Sequence, residues 1–258
     1  MKRVPLINLR KSLLTLLLFC LSFEVSISQE FSFSHRVTRV LMDSTWDKNN
    51  EPVVAGIIEF YKPEMDRLMQ QVIGVSEIEM RSGRPESLLS NFAADALLEY
   101  GREFSKERVD FSLTNFGGLR AALPKGNIRR YDLFSIFPFE NYVVILDLPG
   151  SSVRNLFESF AGNRVEAFSW NVKLEIKGGV MKDVLIDGVQ IDDSKIYRVI
   201  TIDFLMSGGD NVVALRDAVE VEQTGALIRD VMINKVEKLT KTKKKVTSSI
   251  TKRVIIED

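Results

Sequence analysis

The sequence predicts an α+β domain of layered helices and sheets, on three observations. Strand-like apolar runs are mixed with three or four helical stretches, without strict alternation between the two. No internal repeat and no long Pro-rich or Ser-rich linker divides the chain, so one folded unit is expected. The 258 residues are 45% apolar, which is ample for a substantial hydrophobic core.

The elements follow in order. Lys2, Arg3, Arg10 and Lys11 precede an apolar run from Leu13 to Phe23. Ser26-Ile27-Ser28 then offers the small residues that a signal peptidase reads, so residues 1–28 are expected to be a signal peptide cut before Gln29. The run is too short for a comfortable membrane span, so a periplasmic or secreted chain with no stable span after cleavage is expected; a retained N-terminal anchor is the alternative. Cys20 lacks the small preceding residue that lipid attachment needs, since Leu17-Leu18-Phe19 stands there, and lipid anchoring stays open. Cleavage takes the formal charge from 0 to −3 and removes the only cysteine, leaving stability to apolar burial and hydrogen bonding.

Residues 29–52 form a polar N-terminal segment, and residues 53–258 are assigned to the folded domain. Val53 to Ile58 reads as a buried strand, Glu64 to Ile73 has helical spacing, and Val75 to Met80 reads as a strand. Ser87 to Phe104 is a stronger helix, with Leu88, Phe92, Ala96 and Leu97 on one face and Pro85 just ahead. Phe111 to Leu113 and Val143 to Leu148 are strand-like, and Val153 to Phe160 is a helix with Ser151 or Ser152 available as its cap. Val172 to Ile186 reads as a hairpin turning at Lys177-Gly178-Gly179. Ile196 to Phe204 is a strand, Gly225 to Leu239 an amphipathic helix, Lys241 to Lys245 a solvated basic turn, and Ile250 to Ile256 a last strand.

Two loops carry the chemistry. In the first, Asn115, Gly117-Gly118 and Arg120 follow a strand, and Phe139 follows Pro138. The glycines permit backbone angles closed to bulky residues, Arg120 offers a fork for phosphate or carboxylate, and Asn115 both donates and accepts. In the second, Phe204 at a strand end precedes Gly208-Gly209 and Asp210, whose carboxylate suits adjacent hydroxyls. Two phenylalanines on separate strand ends can clamp a flat ring. The same residues also read as ordinary turns flanked by core phenylalanines.

Several chemistries are disfavoured. The only histidine, His35, lies outside the folded domain and no Asp-rich cluster adjoins it, so neither a two-metal centre nor a Ser-His or Cys-His nucleophile is expected in this chain. No GxxxxGK[ST] loop or strand-linked GxGxxG is present. A zero formal charge gives no footprint for nucleic acid.

NFGGLR at Asn115 to Arg120, GNIRRYDLFSIFPFEN at Gly126 to Asn141, FLMSGGDN at Phe204 to Asn211 and ESLLSNFAADAL at Glu86 to Leu97 resemble the NGGGIR, PFxN, FLxxGGD and E-x-x-x-G-N-x-x-x-D-A motifs of one family. It is the C-terminal domain of the secreted 5′-nucleotidases, UDP-sugar hydrolases and 2′,3′-cyclic nucleotide phosphodiesterases. The resemblance covers about 200 residues and implies a layered α/β/β/α fold with mixed sheets. It also implies a substrate-recognition role in nucleotide catabolism, with Phe139 and Phe204 sandwiching a base. Asn115, Arg120 and Asp210 would contact base, phosphate and ribose, with Gly117 and Gly118 forming the loop. Arg84, or else Arg81, would add a phosphate contact. Phe116 replaces a family glycine and is expected to crowd the loop, and Ser90 replaces another. The family's metallophosphatase domain, with its divalent metal ions, has no counterpart here. A free-standing recognition domain, without catalytic residues of its own and acting with a separate metallophosphatase chain, is therefore expected. A non-catalytic nucleoside-binding or structural interaction module is the alternative.

Overall fold

In the computed structural model, residues 33–44, 51–162 and 164–257 are described, and the expected signal peptide lies outside them. They belong to two units, 1–52 and 53–258, of which the second carries the strands. That unit is an α+β fold with mixed sheets.

Its centre is a five-stranded sheet in the order β10 (Glu220–Leu227), β4 (Tyr142–Pro149), β9 (Ile196–Ile202), β2 (Phe111–Thr114), β5 (Ala167–Phe168). β4 runs antiparallel to β9, with Ile145 opposite Ile200, while β2 runs parallel to β9, with Phe111 opposite Val199. Helices cover both faces. On one, α2 (Leu88–Phe104) and α6 (Ile228–Lys241) pack together, and α2 meets β2 and β9. Ser112 Oγ donates to the Ala94 carbonyl at 2.6 Å, and a Cβ on Gly101 would lie 2.7 Å from Ile200, so glycine lets the helix close on the sheet. On the other face, the Phe157 ring of α4 (Gly150–Gly162) stands 5.7 Å from Phe111 and 5.6 Å from Phe168. Double coverage explains why β2, β4 and β9 are buried almost throughout rather than on alternate residues.

A second sheet, in the order β11 (Val254–Glu257), β6 (Val172–Lys177), β7 (Val180–Ile186), β8 (Val189–Gln190), packs through β7 against α4. Every other β6 residue is exposed, as expected of a one-sided sheet. The predicted hairpin turn is present, with Gly178 at φ +56° and Gly179 at +71°, the left-handed pair that a tight hairpin needs. β1 (Val72–Ser76) and β3 (Gly126–Arg129) pair separately, and β3 leads directly into α3 (Arg130–Ile136).

Five sequence expectations are corrected. Val53 to Ile58 is not a strand but the start of α1 (Pro52–Met69); Val53, Val54, Ile57 and Ile58 recur at helical spacing, and the β-branched residues obscured it. The next expected strand, Val75 to Met80, is displaced to β1, with Met80 bridged only to Leu123. α4 begins at Gly150, and Ser152, inside the helix, donates to Asp217 instead of capping. β9 ends at Ile202, and Phe204 lies in a helical turn, α5 (Asp203–Met206). β10 was not predicted, because an edge strand reading EVEQTGAL has few apolar residues; α6 accordingly starts at Ile228 and not at Gly225.

The motif that opens α2 has a structural task. Ser87 is the N-cap and Ser90 exchanges hydrogen bonds with it, so the hydroxyl that replaces glycine closes a capping box. Glu86 accepts from the Thr251 amide at 2.8 Å and the Arg253 amide at 2.9 Å, and Asn91 Nδ2 bridges Glu86 to the Ser249 carbonyl. Asp95 receives both terminal nitrogens of the buried Arg253 at 2.7 Å. These residues strap the C-terminal segment, and so β11, to the helix.

Burial pushes the Glu86 carboxyl up, but the bonds from Asn91, Thr251 and Arg253 outweigh it and hold it below its usual value. A folded-state pKa below the unfolded one adds stability above the unfolded value, and that stability is lost as pH falls through the folded one. Glu86→Gln should therefore cost about 2 kcal/mol at pH 7. The gap from wild type should close as urea titrations are taken down to about pH 3. A gap of equal size at both pH values would show that the charge of Glu86 contributes nothing.

Candidate functional site

Two loops distant in sequence meet through one hydrogen bond, in which Asn115 Nδ2 donates to Asp210 Oδ2 at 2.6 Å. Asn115 stands at the end of β2, which is buried along its whole length, so its backbone is fixed by the central sheet. A 3₁₀ turn, Phe116–Gly118, follows, and the Arg120 amide then bonds to the Ile136 carbonyl at 2.9 Å, tying the loop to the end of α3. The second loop leaves β9 through α5.

The glycines of the two loops differ in their reasons. Gly117 and Gly118 do not have positive φ, contrary to the expectation of unusual backbone angles. They are needed for space: a Cβ on Gly118 would lie 2.7 Å from Asn115 Oδ1, and one on Gly117 3.3 Å from both Asn115 Nδ2 and Asp210 Oδ2. Gly208 is left-handed at φ +87°, and its missing Cβ leaves room for Arg216, which donates to the Ser207 carbonyl at 2.7 Å and braces the loop. Asp210 is itself left-handed at φ +51°, a conformation that Asp tolerates better than most residues. Gly209 leaves room for the Phe204 ring to lie over the loop backbone.

Neither phenylalanine belongs to the core: Phe139 is 47% exposed and Phe204 43%. Phe139, Asn115, Gly118, Asn141 and Ile228 line a small depression with a volume of about 10 Å³. Phe204 sits on the other loop, beside Asp210. Asn115 is 5% exposed, and its Oδ1 is buried with no hydrogen bond inside the protein, an arrangement that costs about 1–3 kcal/mol unless a donor meets it. The Arg120 guanidinium lies 5.9 Å from the Phe139 ring centre, bonded only to the Gly117 carbonyl at 3.4 Å, and has no acidic partner among the described residues.

Of the two candidate arginines in the preceding segment, Arg84 is the one beside this loop. It stands 4.6 Å over the Phe116 ring, whereas Arg81 is exposed and paired with Glu79. Phe116 does not crowd the loop as expected. Its side chain is buried beneath Arg84 and its amide donates to Glu166 Oε2 at 2.7 Å.

Sequence reasoning missed three supports. Glu166, 2% exposed, binds Arg84 Nη2 through Oε1 at 2.6 Å. Burial pushes its carboxyl up by more than Arg84 and the Phe116 amide pull it back, and the nearby Asp210 charge adds to the rise. An acid set among Val165, Ala167 and Phe168 was the available signal. Arg229 is buried beneath the Pro138-Phe139 segment, 4.1 Å from the Phe134 ring and bonded to the Phe137 carbonyl. Arg216 had no signal at all.

A family model described as the 5′-nucleotidase C-terminal domain matches residues 72–217. The chain belongs to that family. It is 26% identical over 202 residues to the trifunctional nucleotide phosphoesterase protein YfkN of Bacillus subtilis, covering 70% of this chain and 14% of that one. Protein UshA of Yersinia enterocolitica is 28% identical over 147 residues, 55% of this chain and 27% of its own length. Among solved structures, the 5′-nucleotidase precursor of Thermus thermophilus superposes with a TM-score of 0.68 at 25% identity, covering 80% of this chain and 43% of that one. The chain thus spans less than half the length of each of these relatives.

Gly118→Ala should force the Asn115 side chain away from Asp210 and cost about 1–3 kcal/mol in urea unfolding. The Asn115 side-chain amide resonances should shift in the same variant. Unchanged resonances would mean that the loop absorbs the methyl group and that the glycine is dispensable.

Proposed function

We propose that this domain recognises a nucleoside or nucleotide for a 5′-nucleotidase-type hydrolysis in nucleotide catabolism. The observation that carries the reading is the Asn115 to Asp210 bond, which joins an amide beside the half-exposed Phe139 to a carboxylate whose loop carries the half-exposed Phe204. Phe139 and Phe204 supply apolar faces for a base. Asn115 contacts the edge of the base, Asp210 meets the ribose hydroxyls, and Arg120 meets phosphate, with Arg84 beside the same loop. Family membership and the names of the relatives support the substrate class.

The hydrolytic step is assigned by the same proposal to a separate metallophosphatase chain carrying divalent metal ions. The sequence has a single histidine, and among the described residues no three His, Cys, Asp or Glu side chains are grouped to hold a metal. Export through the N-terminal leader to the periplasm or the medium completes the reading, and it rests on the sequence pattern of residues 1–28.

Calorimetry with adenosine, uridine and their monophosphates tests recognition. The wild-type chain should bind at least one of them, and Phe139→Ala/Phe204→Ala should abolish binding, each ring being worth about 1–3 kcal/mol. Undiminished affinity in the double variant would remove the stacking assignment. A second assay adds the purified chain to candidate metallophosphatases. Nucleotide turnover should rise with the wild type and not with the double variant, and strong metal-dependent turnover by the chain alone would overturn the division of labour.

A further inference from the structure

Glu166 has no task in the assignment of base, ribose and phosphate contacts, yet it is almost completely buried beside them. Both of its oxygens accept hydrogen bonds, Oε1 from Arg84 Nη2 at 2.6 Å and Oε2 from the Phe116 amide at 2.7 Å, which is the pattern of a carboxylate and not of a protonated acid. The other terminal nitrogen of Arg84 donates to the Val165 carbonyl, and the guanidinium lies against the Phe116 ring. Arg84 is therefore held by the protein, with its charge matched at contact distance. Arg120 is the opposite case: exposed, with one long bond to a carbonyl and no carboxylate beside it among the described residues.

Glu166 thus cancels the charge of Arg84 at contact distance, which leaves Arg120 as the exposed cation of the first loop without a carboxylate beside it among the described residues. Charge interactions at this range are strong where water is partly excluded, so with Arg84 already matched the second and third phosphates of a ligand would gain little beyond what Arg120 offers the first. Resting on the nucleotide-recognition reading, we propose that Glu166 sets the ligand charge that the site accepts. By neutralising Arg84 it favours nucleosides and nucleoside monophosphates over di- and triphosphates. It acts through Arg84 and is a positioning residue that touches no ligand atom.

The test is calorimetry of wild type and Glu166→Gln with adenosine, AMP and ADP, and with uridine, UMP and UDP. Glu166→Gln should change nucleoside affinity by less than about threefold while tightening the diphosphate by about tenfold relative to the nucleoside. A purely structural role for Glu166 would weaken all ligands together and leave the ratio unmoved, and that result overturns the proposal while the recognition reading stands. The double variant Arg84→Gln/Glu166→Gln should bring the ratio back toward wild type, because the selecting charge is then gone. Wild type provides a reading that requires no variant to fold: ADP should bind no more tightly than AMP, and ADP tighter by about tenfold sinks the inference. If no nucleoside or nucleotide binds at all, the recognition reading fails and the inference fails with it.

Discussion

The Asn115 to Asp210 hydrogen bond is the constraint on which the rest of the site depends, because it is the contact that turns two loops into one surface. Each end is fixed by a different device. Asn115 inherits its position from β2, buried along its whole length between β9 and β5 in the mixed sheet. Asp210 is held by a left-handed backbone in a loop that Arg216 braces from the side. A single bond with a charged acceptor is worth only about 1.5–3 kcal/mol, so it can decide the arrangement only because both loops arrive already ordered. The three close-fitting glycines, Gly117, Gly118 and Gly209, keep the approach open where any Cβ would crowd it.

Buried charge recurs as the means by which this chain, with no cysteine in the domain, holds peripheral pieces in place. Arg253 and Asp95 form a two-pronged pair, with Glu86 alongside, that straps the C-terminal segment across α2. Arg84 and Glu166 do the same for the loop before α2 and the 3₁₀ turn after β2. A buried pair of this kind adds little net stability over an apolar replacement, but breaking one half is costly because the other charge is left stranded. Such pairs therefore specify position more than they stabilise. Arg84 precedes α2 and Asp95 lies midway along it, so one helix and its lead-in organise both the tail and the site's edge.

The family motifs do not all serve the ligand. FLMSGGDN and NFGGLR converge on the candidate site, whereas Glu86, Asn91 and Asp95 of the opening-helix motif bind the chain's own C-terminal segment. The replacements are absorbed locally. Phe116 turns its ring inward beneath Arg84, and Ser90 joins the cap of α2, so neither change disturbs the path of the loop.

What the sequence determined by itself was whatever depends on near neighbours. The central strands β2, β4 and β9 read as apolar-rich runs, the Gly178-Gly179 turn declared its hairpin, and α2 showed its apolar face. Segments whose partners are far away were read wrongly or not at all. β10 is polar because it is an edge strand, and α1 is β-branched at helical spacing with none of its residues buried. The candidate site divides along the same line: the loop residues were legible as Gly pairs beside Asn, Arg, Asp and Phe, but Glu166, Arg216 and Arg229 were not. Their contacts lie 82, 9 and 92 positions away in sequence for Arg84, Ser207 and Phe137 respectively. Only the tertiary fold decided that Asn115 faces Asp210 and that Arg84 carries a buried counter-charge, because hydrogen bonds and ion pairs act over a few ångströms of space, and the chain reaches those distances only after the sheet has formed.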